Sequence, residues 1–286
     1  MSEPVVYLNG RIVPAGQAAV SAFDSGFLHG VSVFTTLRAH NGRPFRLDRH
    51  LRRLSADAGR IGLRHEATAE ELAGAVDEIL RANALTEARV RITLTPGRPG
   101  AAPESTTLVT ASETGIQAGW YEKGIGAIVN QVRQYEHDPL GGAKTGCYLP
   151  RVLARQAAAA AGADEALWFT HSGRLAEACF CNVFLVGDGG LATPPLDTPV
   201  LPGIVREAVL ELTARLDLTC RDDEPIGYDD VLACREMFLT SSVAGVRPVV
   251  RLDRRPIGDE APGPVTRSIL AAYARLLEEE CPPPGA

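Results

Sequence analysis

Residues 140–162 read LGGAKTGCYLPRVLARQAAAAAG, and the stretch has two unlike halves. Up to Gly146 it is small and glycine-rich. From about Tyr148 to Ala161 it reads as a helix, with Pro150 tolerated in the first turn and Gly162 as the stop. Lys144 stands at the junction, with no charged neighbour for several residues on either side. Of the 29 lysines and arginines only two are lysines, Lys123 and Lys144. Arginine stays protonated and cannot form an imine, so chemistry that needs an amine does not tolerate the exchange. Lys123, beside Glu122, reads as part of a surface turn. Lys144 in its apolar surroundings reads as a candidate nucleophile.

On the N-terminal side, short strands alternate with helices. Val5–Leu8, Asn9-Gly10 and Arg11–Val13 predict a hairpin. Val31–Arg38 is β-branched and aromatic, a strand. Asp48 is positioned to cap a helix with Leu51, Leu54, Ala58 and Ile61 on one face. Residues 69–84 predict a second helix, and Val90–Thr95 and Thr106–Ala111 two more strands. Regular patterning fades over 113–124, where a linker is expected.

On the C-terminal side, strands are expected at 125–131, 166–170, 175–178, 182–186, 191–192, 237–241 and 246–250. Helices are expected from Pro202 to about Leu216 and from Val265 to Glu280. The tail from Cys281 to Ala286 reads as disordered.

The chain has 286 residues, enough for one large or two ordinary domains. Apolar residues make up 45% and charged residues 22%, the balance of a globular protein. The net charge of −6 argues against nucleic acid or an anionic membrane as a partner. No apolar run is long enough to span a bilayer. The start, MSEPVVYLNG, shows no leader, and the six cysteines lack the spacing of a zinc site or a disulfide scaffold, so a cytoplasmic location with reduced thiols is expected. The six histidines are isolated, and no metal site is expected.

Five segments, in order, carry a resemblance: DSGFLHGVSVFTTLRAHNGRPFRLDRHLRRL (24–54), AKTGCYLPRVLA (143–154), GADEALWFTHSGRLAEACFCNVFLV (162–186), LPGIVRE (201–207) and FLTSSVAGVRPV (238–249). In these the chain resembles the class IV, or fold-type IV, pyridoxal-phosphate (PLP) enzymes. Branched-chain aminotransferases, D-amino-acid aminotransferases and aminodeoxychorismate lyases belong to that family. The resemblance implies an α/β (α+β) fold. A small N-terminal α/β domain (1–115), a linker (116–124) and a larger C-terminal PLP-binding domain (125–286) are expected, with PLP between the domains and two copies forming a homodimer. It implies a ping-pong transamination between an amino donor and a keto-acid acceptor, with aminodeoxychorismate lyase activity as the alternative and a non-catalytic PLP-binding homologue as a weaker one.

Residue by residue, the resemblance assigns Lys144 as the Schiff-base lysine and base, and Glu177 as the carboxylate on the pyridine nitrogen. Arg53 matches the phosphate arginine, with Arg52 beside it expected in solvent. The turn Gly203-Ile204-Val205 opens a helix whose N–H groups suit an anion. The family usually has Thr where Val205 stands, which removes one hydroxyl. Ser241 and Ser242 match the loop that offers a hydroxyl to the phosphate. Tyr148 is either a cofactor contact or the first core residue of its helix. Phe34, Thr36 and Arg38 lie on the strand that carries pocket residues in the family. His29 is either a pocket group or a turn residue. The turn Thr95-Pro96-Gly97 lacks the carboxylate-binding arginine of D-amino-acid enzymes, and Arg91 and Arg98 flank the gap. Cys147, Cys179 and Cys181 read as small packing residues.

Overall fold

A computed structural model describes residues 3–100 and 105–285. Its contacts divide the chain into two compact units. Unit 1 comprises 1–115, 144–147 and 276–286, and unit 2 comprises 116–143 and 148–275. The second unit thus yields the four residues around Lys144, and the last eleven, to the first.

Unit 1 is an antiparallel sheet backed by two helices. The strands are β1 (Val5–Leu8), β2 (Arg11–Pro14), β3 (Val33–His40), β4 (Arg43–Pro44), β5 (Ala88–Thr95) and β6 (Thr106–Glu113), in the order β2-β1-β6-β5-β3-β4. A short α1 (Ser25–His29) precedes β3, and α2 (Leu47–Arg60) and α3 (Ala69–Ala82) lie between β4 and β5. Alternation along β3 turns Val33, Leu37 and Ala39 to the core, where they meet Leu51, Leu54 and Ala58 of α2 and Leu72, Val76 and Leu80 of α3. Thr35, also fully buried, shares that inward face, and Phe34, Thr36 and Arg38 lie on the other. The α3 N-terminus carries a capping box, Thr68 with Glu71.

Unit 2 begins with α4 (Gly119–Glu122), a single turn within the stretch expected to lack regular structure. Then follow β7 (Ile125–Val129), α5 (Leu149–Ala160), β8 (Glu165–Phe169), β9 (Leu175–Ala178), β10 (Asn182–Gly187), β11 (Gly190–Ala192), α6 (Ile204–Arg215), β12 (Cys220–Arg221), α7 (Tyr228–Ala233), β13 (Glu236–Ser241), β14 (Gly245–Leu252), β15 (Arg255–Pro256) and α8 (Pro264–Glu280). The nine-stranded sheet has the order β12-β11-β10-β13-β14-β7-β8-β9, with β15 beside β14. It is mixed: β11/β12, β14/β7 and β7/β8 pair parallel, the rest antiparallel. One face carries Leu167, Phe169, Val183, Met237, Leu239 and Val249; α5 packs Ala154 and Ala158 against Ala166, Trp168 and Ala176.

Three local expectations are corrected. Asp48 does not cap α2: the N-cap is Arg46, in the left-handed region at φ 51°, and Asp48 sits in the first turn, paired with Arg52. An acidic side chain one step inside still complements the helix dipole. The tail is not disordered from its start, because Cys281 is buried and its carbonyl accepts from Asn41 Nδ2 at 3.0 Å; Ala286 lies outside the described residues. Cys147 is exposed rather than packed, whereas Cys179 and Cys181 are buried.

Helix α5 is built inside out. Its inward face carries Arg151 and Arg155, which reach Glu177 and Glu165. Its outward face carries Leu149, Val152 and Leu153, with Leu149 67% exposed.

Candidate active site

In unit 1, Lys144–Gly146 runs as a fragment of strand beside the start of β3. Thr145 bridges Val33 in antiparallel sense. Phe34 N–H donates to the Lys144 carbonyl at 3.0 Å, and Gly146 N–H to the Ser32 carbonyl at 2.8 Å. A Cβ on Gly146 would stand 2.0 Å from Ser32 Oγ, so the Ser32 hydroxyl would have to turn away to admit one. The ladder ends at Lys144, whose own main-chain N–H donates to Asp57 Oδ2 at 3.1 Å. The peptide is therefore held at both its polar groups, and the amine is carried on a four-carbon stem. That amine lies 4.6 Å from the Phe34 ring centroid, and the Arg91 guanidinium lies 3.6 Å from the same centroid. Arg91 Nε donates to Thr93 Oγ1 at 3.1 Å, which fixes its direction.

Helix α2 supplies the inner wall. His50, Arg53 and Asp57 follow at spacings of three and four, so they share a face. The Thr35 hydroxyl accepts from Arg53 Nη2 at 3.4 Å and lies 2.8 Å from His50 Nδ1. Burial, then the charges of Arg53 and Lys144, hold the His50 pKa well below its usual value. A neutral imidazole can accept at Nδ1 and leave the hydroxyl free to accept from Arg53. Asp57 is 6% exposed, and burial raises its pKa against the pull of the Lys144 N–H, Arg53, Arg60 and the Lys144 charge.

In unit 2, Glu177 lies on β9 and is 4% exposed. Burying a carboxylate is costly unless it is paired and hydrogen-bonded. Arg151 Nη2 donates to Glu177 Oε1, and Leu201 N–H donates to Oε2 at 3.2 Å. Arg151 Nη1 also donates to the carbonyls of Ala178 and Cys179 at 3.2 and 3.1 Å. Tyr148 stands at the N-cap of α5, half-buried, with its ring stacked on Phe180 at 5.7 Å. Gly203 is the N-cap of α6, and no side chain caps that helix. A Cβ on Gly203 would stand 2.0 Å from Asn182 Oδ1, and Asn182 Nδ2 donates to the Leu201 carbonyl at 2.8 Å, so this turn is built for glycine. Ile204 and Val205 are buried in the first turn. Ser241 ends β13, and Ser242 starts the turn into β14.

The structure therefore gathers Lys144, Arg53, Phe34 and Arg91 within unit 1, and Glu177 and Tyr148 within unit 2. Thr36 lies half-buried on the Phe34 face, directly opposite Arg91 in the β3/β5 register. Arg38, further along, is tied to Glu87 at 2.8 Å. His29 is exposed at the end of α1, and Arg98 is exposed, with its guanidinium 5.8 Å from the Phe23 ring. Asp57, His50, Thr35, Arg151 and Asn182 were not singled out by the sequence reading. Taken unit by unit, the chemistry fits groups of PLP: in unit 1 the buried Arg53 guanidinium suits a phosphate, and in unit 2 the α6 N-terminus suits a phosphate and the buried Glu177 carboxylate a protonated ring nitrogen.

Residues 32–252 match the model of the amino-transferase class IV family. The D-alanine aminotransferase of Bacillus licheniformis is 31% identical, over 96% of this chain and 98% of its own. A crystal structure of the Escherichia coli branched-chain amino acid aminotransferase superposes with a TM-score of 0.91 at 28% identity, covering 98% of this chain and 96% of that one. The T.th. branched-chain amino acid aminotransferase, solved with pyridoxamine 5'-phosphate, gives 0.90 at 29%, covering 99% and 96%. Full-length relatives named for two different substrates, with one fold beneath both, make this chain a class IV aminotransferase, a PLP-dependent transaminase of fold type IV.

Proposed function

We propose that the chain moves an amino group between an amino acid or amine and a 2-keto acid by a ping-pong cycle in which Lys144 is the amine that bonds PLP and moves the proton. The observation that carries this reading is the clamp on the Lys144 peptide, by Phe34 on one side and Asp57 on the other, which fixes the root of a long side chain. Bound PLP supplies an electron sink for a carbanion at the substrate α-carbon. The protein's part is to bind, orient and shuttle a proton. Lys144 Nζ takes the α-proton and returns it. Glu177 holds a proton at the ring nitrogen. Arg53, the N–H groups of Gly203, Ile204 and Val205, and the Ser241 and Ser242 hydroxyls bind the phosphate, and Tyr148 contacts the ring.

Arg91 binds the substrate carboxylate, with Phe34 and Thr36 forming the floor beside it; Arg38, His29 and Arg98 lie at the margin of the substrate site. For function, we divide the chain into a small domain (1–115), a linker (116–124) and a large PLP domain (125–286). A homodimer is supported by the apolar outer face of α5, where Leu149, Val152 and Leu153 stand in solvent. Six free thiols suit the reducing cytoplasm. No helix among the described residues is long and apolar enough to cross a membrane.

Borohydride reduction of the PLP-loaded protein followed by peptide mapping tests the lysine: the label is expected on the peptide that contains Lys144, and a label elsewhere defeats the assignment. A half-reaction screen with D- and L-alanine, L-leucine, L-glutamate and α-methylbenzylamine then identifies the donor. Pyruvate release from aminodeoxychorismate without any acceptor would replace this reading with the lyase.

A further inference from the structure

We propose that Asp57 is a positioning residue for Lys144, holding the lysine's main chain and keeping a negative charge within electrostatic reach of its amine. The inference rests on the reading of Lys144 as the PLP-bearing residue.

The geometry comes first. Asp57 lies one helical turn after Arg53 on α2, and its Oδ2 accepts the Lys144 main-chain N–H at 3.1 Å. A main-chain N–H needs only an acceptor. An asparagine amide would serve at a lower desolvation cost than a buried carboxylate. The charge therefore answers some other need, and the neighbours show which. The charges of Arg53 and Arg60, on its own helix, and of Lys144 act on the Asp57 carboxyl. His50 is held neutral one further turn back. On the other side of the lysine, Arg91 shares the Phe34 ring with the amine. The Lys144 amine thus shares one aromatic ring with a guanidinium of like charge. Asp57 opposes that charge and holds proton affinity at the amine higher than the arginine alone would allow. One carboxylate accordingly fixes where the lysine starts and how readily it accepts a proton.

The test compares wild type with Asp57→Asn, which keeps an acceptor at the same reach, and Asp57→Ser, whose shorter side chain gives up the hydrogen bond; both remove the charge. In the PLP-loaded proteins the visible absorbance of the bound cofactor is titrated with pH. The midpoint is expected to fall by roughly one unit in both variants, the size of effect the loss of a nearby opposite charge exerts. In the apo proteins, Lys144 is labelled by formaldehyde with cyanoborohydride across the same pH range and quantified by peptide mapping. Its labelling profile is expected to move to lower pH by a similar amount. A merely structural Asp57 would lower the melting temperature and leave both midpoints in place, and that result would overturn the inference. If wild type takes up no PLP at Lys144, the reading of the previous subsection fails, and the apo labelling profile still decides the role of Asp57. If one variant does not fold, the other carries the comparison, and Asp57→Glu, which retains the charge, should restore the wild-type midpoint.

Discussion

Lys144 and Glu177 are both ionisable side chains, one half-buried and one buried, and the fold restrains them in opposite ways. Glu177 is gripped at its functional atoms: Arg151 takes one carboxylate oxygen and the Leu201 N–H the other. Lys144 is gripped at its peptide, by the Phe34 N–H and Asp57. On the roles proposed above, the group that stays still is fixed at its tip, and the group that bonds and carries a proton is fixed at its root. The first is held by an arginine from a helix, the second by a strand edge and one carboxylate.

Removing either grip should show the contrast. Lys144→Ala should abolish transamination, with a loss of about a thousand-fold or more, since both the covalent bond and the proton carrier disappear; half-reaction kinetics and the absence of a borohydride-trapped peptide check this. Arg151→Met leaves Glu177 buried with one donor. Unfolding in urea should show a loss of up to about 3 kcal/mol, less than for a fully buried pair because Arg151 is partly exposed. Gly203→Ala pushes a methyl against Asn182 Oδ1 and should cost about 1–3 kcal/mol, with weaker PLP binding in an equilibrium titration.

His50 brings a pH dependence. The unfolded chain protonates this imidazole near pH 6.5 and the folded one resists it. The unfolded state then binds more protons, so stability is intact above about pH 6.5 and falls as pH drops below it. His50→Gln should flatten that part of a stability-versus-pH curve. Asp57, whose folded pKa is raised, acts with the opposite sign: its contribution is present at low pH and is lost as pH rises through the folded value. The smallest change belongs to Asp48→Ala, which removes an exposed pair with Arg52 and should shift stability by about 0.3–0.5 kcal/mol.

Local chemistry made much of this readable in advance. Asn9 and Gly10, both at positive φ, turn the first hairpin as their dipeptide predicts. The spacing of Leu51, Leu54 and Ala58 placed the buried face of α2. Lysine scarcity singled out Lys144 before any resemblance entered. What escaped was charge on inward faces. His50 and Asp57 stand four before and three after Leu54, on the edge of the stripe that periodicity had already turned inward, so the signal was present and was passed over. Arg151 offered less. Its partner lies 26 residues away on another strand, and nothing in α5 names it. The same helix misleads a periodicity argument, because its leucines face out and its arginines face in.

The four residues from Lys144 to Cys147 leave unit 2, join unit 1 and return, and the last eleven residues join unit 1 as well. No single scission of the gene can therefore separate the two units. A fragment ending at residue 115 lacks the stretch from Lys144 to Cys147, and its complement carries that lysine with neither β3 nor α2 to seat it. To separate unit 1 intact, three separated stretches of chain must be moved at once.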